Sequence, residues 1–267
     1  MDKPLAVTPT ALLEEFSARQ PNHECVIDGE RRWTYAQLHQ EAQNVAAGLY
    51  ELGVRRGHWV AILMGNRAEW LSSYFAILGL GAEAVALNTW LTPSEHAYQL
   101  NHAEVTTLIL ADKFKDRDVL SELNEMQAIG LPKLTQVIAL GECIPADVLS
   151  FSDLQGKIQS GVWNTARDED IACILYTSGS TARPKGVPLR HGSLVDNMWE
   201  IGERMHLTPD DRLWFGISLF WSFGCVNALF ALISHGGTLV LQHHFDPGEA
   251  LGLIEKERCT VFYGTTN

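Results

Sequence analysis

Apolar residues recur at helical spacing at Leu38, Ala42, Val45, Ala46, Leu49 and Leu52 and stop at Gly53, a pattern that predicts an amphipathic helix with a glycine stop. Residues 54–57 then turn into 59–64, a continuous apolar run of the kind expected for a strand buried on both faces. The alternation continues with a helix over 69–80 and a strand over 82–87. Next comes Thr92-Pro93-Ser94-Glu95, which has the spacing of a capping box and predicts a helix through about Asn101. Strands at 105–110, 136–140 and 171–176 follow, with a polar helical stretch after the first and an irregular region over 141–170. Beyond them the pattern predicts a helix at 193–205, a strand at 212–216, a helix at 222–234 and a strand at 238–242. Asp246-Pro247-Gly248-Glu249 opens another helix, again with capping-box spacing, and 259–263 reads as a strand. Strands that alternate with helices imply an α/β architecture built on parallel sheet.

Composition narrows the class. With 267 residues, 46% of them hydrophobic, the chain can bury the core of one large α/β domain or two smaller ones. A net charge of -12 argues against nucleic acid or an anionic membrane as partner, because both attract clustered Lys and Arg. The five cysteines are dispersed, odd in number and without zinc-like spacing, which points to a reduced, cytoplasmic setting. Residues 1–10 lack the features of a signal peptide. Residues 213–245 contain no Asp, Glu, Lys or Arg and are long enough to suggest a membrane span. Gly216, Ser218, Ser222, Asn227 and His235-Gly236-Gly237 punctuate them, so they read as a buried strand, helix and strand.

The segment richest in chemistry is Tyr176-Thr177-Ser178-Gly179-Ser180-Thr181-Ala182-Arg183-Pro184-Lys185-Gly186-Val187, after a strand and shortly before a helix. Consecutive hydroxyl and glycine positions put O–H and N–H donors around anionic oxygens, and Lys185 adds a compact positive charge. It is not a Walker loop, so ordinary P-loop chemistry is disfavoured. Composition alone leaves two readings open, a phosphate cradle and a flexible polar linker. Elsewhere, His243-His244 has no partner at metal-ligand spacing, no HExxH occurs, and no Gly-x-Ser-x-Gly elbow is present, so no metal ligand is assigned.

The ordered string resembles the Thr-Ser-Gly-Ser/Thr-Thr-Gly-x-Pro-Lys-Gly loop of the adenylate-forming (AMP-binding) superfamily, which includes acyl-CoA synthetases, luciferases and peptide-synthetase adenylation domains. Three further segments are similar to family motifs in the right order: Trp33-Thr34-Tyr35-Ala36-Gln37-Leu38, Asn66-Arg67-Ala68-Glu69, and the stretch from Gly79 to Asn88. The resemblance implies that Thr177, Ser178, Gly179, Ser180, Thr181 and Lys185 hold the β- and γ-phosphates of ATP. Ala182 departs from the family's usual glycine and would cost about 1 kcal/mol if that position needs positive φ. Ser218-Leu219-Phe220-Trp221-Ser222-Phe223-Gly224 occupies the place of a Pro-Leu-Phe-His-x-x-Gly segment that lines the acyl pocket, which makes Phe220, Trp221 and Gly224 candidate pocket residues. The same aromatics would equally suit a core, and that alternative stays open.

By resemblance the expected fold is the N-terminal domain of an adenylate-forming enzyme, two packed α/β subdomains, truncated. Residues 55–205 would form the first subdomain with the phosphate loop, and 1–54 plus 206–267 an incomplete second one whose open edge lowers solubility. The implied activity is that of an acid-thiol ligase. It would use ATP, Mg2+ and CoA to convert a fatty or other apolar carboxylic acid into an acyl-adenylate and then a thioester. Tyr263-Gly264-Thr265-Thr266-Asn267 does not match the family's adenine and metal motif, so that motif, the ribose-binding Asp, and the C-terminal lid with its catalytic Lys are expected beyond Asn267. The 267 residues alone are then expected to be inactive. Two alternatives remain at this stage: a non-catalytic remnant that binds ATP or a partner, and an adenylation domain that loads a carrier protein.

Overall fold

The structure is a computed structural model that describes residues 2–154, 156, 161–177 and 184–264. In chain order it contains α1 (Pro9–Arg19), β1 (Glu24–Asp28), β2 (Arg31–Thr34), α2 (Tyr35–Glu51), β3 (Trp59–Leu63), α3 (Ala68–Gly79), β4 (Glu83–Ala86) and α4 (Pro93–His102). Then come β5 (Thr107–Ala111), the small hairpin β6 (Lys113–Phe114) and β7 (Arg117–Asp118), α5 (Val119–Ile129), β8 (Gln136–Leu140) and β9 (Leu149–Ser150). The rest is β10 (Ile171–Thr177), β11 (Lys185–Arg190), α6 (His191–Arg204), β12 (Arg212–Phe215), α7 (Leu229–Ile233), β13 (Thr238–Leu241), α8 (Pro247–Lys256) and β14 (Val261–Phe262).

Local chemistry sets several boundaries. Thr34 accepts from Gln37 N at 3.2 Å while the Gln37 side chain accepts from Thr34 N at 2.8 Å, so the Thr-Tyr-x-x-Leu motif is a capping box that starts α2. The box predicted at Thr92 and Glu95 forms in the same way and starts α4. Gly53, at φ +91°, stops α2 in a conformation that would strain a residue with a Cβ. Asp246 caps α8 by accepting from Glu249 N, but Glu249 turns to Gln242 instead of closing the box.

Seven strands form one sheet in the order β11-β10-β4-β3-β5-β8-β9, parallel except for the antiparallel β10–β11 pair. Five form the other, β14-β12-β13-β1-β2, parallel except for β1–β2. Because side chains alternate along a strand, each face of β3 serves a different core. Val60 and Ile62 join a large cluster with α1, α2, α3, α6, α7 and the facing side of the five-stranded sheet, whereas Ala61 and Leu63 pack with α4 and α5. Helix α3 lies in the middle of the large cluster, with every residue but Glu69 buried. Side chains such as Trp70, Phe75 and Phe230 are fully buried, and each contributes roughly 1.5–3 kcal/mol of apolar burial.

Two expectations need correction. The predicted helix at 222–234 opens as a π-helical segment, Ser222–Ala228, and becomes α-helical only at Leu229. The phosphate-loop segment follows a strand and shortly precedes a helix as expected, but its last residues form a strand that was not expected, β11, before α6 begins. Residues 213–245 form β12, a helical segment and β13 with buried apolar side chains, as expected of core, and among the described residues no helix is long and apolar enough to cross a membrane.

One junction ties the sheets together at the start of α3. The Asp28 carboxylate, at the end of β1, accepts from Ala68 N at 3.0 Å, Arg31 at 2.5 Å and His243 Nε2 at 2.5 Å. Burial alone would raise the Asp28 carboxyl, but these hydrogen bonds, that from His243 foremost, hold it well below the usual range. The same hydrogen bond raises His243 above its ordinary value. A histidine with a raised folded pKa contributes stability that is complete below about pH 6.5 and is lost as pH rises through the folded pKa. His243→Ala is therefore expected to lower Tm most below about pH 6.5, with the gap to the wild type closing as the pH rises through the raised His243 pKa. Glu83, pushed up to about 7 by burial and by Asp170, titrates over the same interval, so the comparison between the two proteins isolates His243. A gap that stays constant with pH would contradict the assignment.

Candidate functional site

The phosphate-loop segment bridges an antiparallel hairpin. Thr177 ends β10 and Lys185 begins β11, and the ladder sets the two directly opposite each other. Both are exposed. The candidates Ser178, Gly179, Ser180 and Thr181 lie outside the described residues, as does Ala182. Both ends of the loop rest on α4. Tyr176 donates its O–H to the Gln99 carbonyl at 3.2 Å, and its oxygen lies 2.9 Å from His102 Nδ1. Tyr98 donates to the Pro184 carbonyl at 3.3 Å. Burial and the neighbouring Tyr98 hold the Tyr176 phenol above its ordinary pKa, so it remains an O–H donor. Among the described residues no carboxylate lies within ion-pair distance of Lys185, which leaves its ammonium available to an anion.

The second group of candidates follows β12. Trp221 lines a cavity of about 580 Å³ together with Trp214, Gly216, Ser218, Phe245 and Phe262. Among the described residues no Asp, Glu, Lys, Arg or His lines it, so it suits an apolar body. Phe220 is buried beside Trp221, the rings meeting edge to face at 5.5 Å, and it does not line this cavity. Gly224 is also buried and away from it. A Cβ at Gly224 would stand 2.3 Å from the Ser218 carbonyl oxygen, so glycine there permits close backbone packing. Of the three residues grouped by sequence, Trp221 therefore lines the cavity and Phe220 and Gly224 do not.

Trp90 is a cavity-lining residue that the sequence reading did not single out. It comes from the loop after β4, and so from the other sheet. Arg117 donates to the Thr89 carbonyl and, at 2.8 Å, to that of Leu91, while Trp90 N donates to Asn88 at 2.8 Å. The indole meets Phe114 edge to face at 5.6 Å and carries the Lys115 ammonium 4.6 Å from its ring centroid. Its only sequence signal was its place two residues after the Leu87-Asn88 motif.

Two wider grooves, of about 710 and 600 Å³, run beside α5 and are lined by none of the sequence-predicted site residues. No group of three or more His, Cys, Asp or Glu side chains that could hold a metal ion occurs among the described residues.

Residues 13–267 match the AMP-binding enzyme family. The chain is 32% identical to the acyl-CoA ligase sidI of Aspergillus fumigatus over 97% of this chain and 46% of that protein. Among solved structures it is similar to the anthranilate CoA ligase AuaEII in complex with anthranoyl-AMP, with a TM-score of 0.87 and 29% identity, covering 98% of this chain and 50% of that one. It is also similar to the o-succinylbenzoate coenzyme A synthetase MenE of Bacillus subtilis in complex with AMP, with a TM-score of 0.79 and 25% identity, covering 96% and 61%. The chain spans about half the length of the curated relatives it matches.

Proposed function

The chain belongs to the AMP-binding enzyme family, and from that premise we propose that the native-length protein activates a carboxylic acid with ATP and passes the acyl group to CoA. In the first step a carboxylate oxygen attacks the α-phosphorus of ATP, the bond to the bridging oxygen breaks, and pyrophosphate leaves an acyl-adenylate. In the second the CoA thiol gives up its proton and attacks the acyl carbonyl, and AMP departs with the electron pair of the bond it loses. Two anions must be held in line against their repulsion, so positioning and charge stabilisation are the protein's main tasks.

Thr177, Ser178, Gly179, Ser180, Thr181 and Lys185 are assigned to the β- and γ-phosphates. The observation that supports this is the hairpin register, which sets Thr177 directly across from Lys185, whose ammonium has no carboxylate partner among the described residues, at the two ends of the hydroxyl- and glycine-rich stretch. Mg2+ is assigned to the nucleotide substrate, whose phosphates it would neutralise. Trp221 is assigned to the acyl cavity with Phe220 and Gly224 as its supports, and the apolar lining favours a fatty or aromatic acid. The two sheets would act as two subdomains, 55–205 and 1–54 with 206–267. All five cysteines are free thiols, which suits the cytoplasm. The family's later motifs, as read from sequence, are not among these 267 residues, so adenylate formation is expected only from a polypeptide that carries them.

The test is acid-dependent exchange of labelled pyrophosphate into ATP by the native-length protein. Exchange supported by medium-chain fatty or aromatic acids is the expected result; none with any acid of a broad panel would overturn the proposal. Release of AMP that requires a carrier-protein thiol instead of CoA would move the second step to a different acceptor.

A further inference from the structure

The motif Asn66-Arg67-Ala68-Glu69 has no part in the chemistry above, yet Asn66 is buried and its carboxamide is heavily engaged. Its Nδ2 donates to the carbonyls of Ile217 at 2.8 Å and Gln242 at 3.1 Å, with that of Phe215 at 3.3 Å, and its Oδ1 accepts from Leu219 N at 2.8 Å. All four partners are backbone groups where strands leave the five-stranded sheet. Phe215 closes β12, Ile217 and Leu219 follow it, and Gln242 follows β13. Asn66 itself follows β3 of the seven-stranded sheet. One side chain thus crosses between the sheets and engages backbone groups at the exits of β12 and β13, including the Phe215 carbonyl that also accepts from Gln242 N at 3.2 Å.

An amide suits this place because it combines two N–H donors with an acceptor on a short stem. A carboxylate would present no donor to three carbonyl oxygens, and a hydroxyl can donate only once. Gly65 allows the approach, since a Cβ there would stand 3.1 Å from the Phe114 ring and 3.4 Å from the His243 carbonyl oxygen.

The bonds to Ile217 and Leu219 bracket Ser218, and Gly216, Ile217 and Ser218 all line the 580 Å³ cavity. Ser218 in turn accepts from Trp221 N at 3.2 Å, which links the bracket to the indole on the cavity wall. We propose that Asn66 is a positioning residue for the acyl site. By fixing the 216–221 backbone to the sheet that carries the phosphate-loop hairpin, it sets where an acid lies relative to ATP. This inference rests on reading the cavity as the acyl site.

The experiment compares Asn66→Asp and Asn66→Ser with the wild type in the native-length protein, by pyrophosphate exchange and by thermal unfolding. The KM for the acid is expected to rise about tenfold or more, as when a bound geometry shifts by a fraction of an ångström, while the KM for ATP changes by less than about twofold. A purely structural role would lower Tm and leave both KM values of the folded enzyme unchanged. That outcome, or an equal rise in both KM values, overturns the inference while the acid-activation reading stands. If Asn66→Asp does not fold, Asn66→Ser, which keeps one donor, carries the comparison. A wild type inactive with every acid overturns the acid-activation reading and this inference with it.

Discussion

Lys185→Met in the native-length protein is expected to raise the KM for ATP by roughly ten- to a hundredfold, with the KM for the acid little changed. A charge-assisted hydrogen bond to a phosphate is worth about 1.5–3 kcal/mol, which converts to a factor of that order. The side chain is exposed and has no carboxylate partner among the described residues, so its loss should leave Tm nearly unchanged. The effect would then lie in nucleotide binding and not in folding. Lys185→Arg should recover only part of the loss, because a planar guanidinium replaces a compact point charge on a shorter, more flexible stem. An unchanged KM for ATP in Lys185→Met would remove this residue from the site.

The largest effect on stability is expected at Glu257. Its carboxylate is 3% exposed and accepts from Arg32 at 2.8 and 3.0 Å and from Arg212 at 2.9 Å, while Arg212 Nε also donates to the Glu257 carbonyl at 2.6 Å. Glu24 bridges the same two guanidiniums at 3.0 and 2.9 Å. The four charges alternate in sign and tie β1, β2 and β12 to the end of α8. Glu257→Ala would remove the most buried member and leave two cations facing one remaining carboxylate. Breaking a buried pair from one side costs about 3–5 kcal/mol. The arginine side chains are 42% and 22% exposed and regain some hydration, so about 2 kcal/mol is the expected loss in urea unfolding. Arg32→Ala should cost less, because that side chain is already partly in water. Equal midpoints for wild type and Glu257→Ala would show that the cluster contributes nothing to stability.

What could be read from the chain was whatever its local chemistry determines. The apolar spacing of α2, the Thr92–Glu95 box of α4 and the continuous apolar runs of β3 and β8 act over a few residues, so these elements were visible in the sequence, whereas the Thr34–Gln37 box that starts α2 was not singled out. Strand β2 was not. Its Arg31 and Arg32 make no apolar alternation, and besides the nearby Asp28 and Glu24 they are held by Glu69 and Glu257, which are distant in sequence. The π-helical opening at Ser222 likewise has no local signature. It forms where Trp221 O accepts from both Gly224 N and Cys225 N at 2.9 Å, with Gly224 pressed against the Ser218 carbonyl. At the candidate site, the ordered string pointed to a loop of which only Thr177 and Lys185 are among the described candidates, and it gave no sign of the hairpin that sets those two opposite each other. Trp90 stayed hidden because its role depends on the β4 loop meeting the exit of β12, a juxtaposition created only by the packing of two sheets.

The pairing of β1 with β13 has a consequence for synthesis. Val26 sits opposite Leu239, so a strand made early finds its partner only after more than two hundred further residues. At roughly 5–20 residues per second, a ribosome leaves the apolar Cys25, Val26 and Ile27 without that partner for on the order of ten to forty seconds. Strands β3, β4 and β5 follow one another closely and can pair soon after they emerge. The seven-stranded sheet can therefore begin to form on the nascent chain while residues 24–34 wait. That interval is when a holding chaperone would have most to shield.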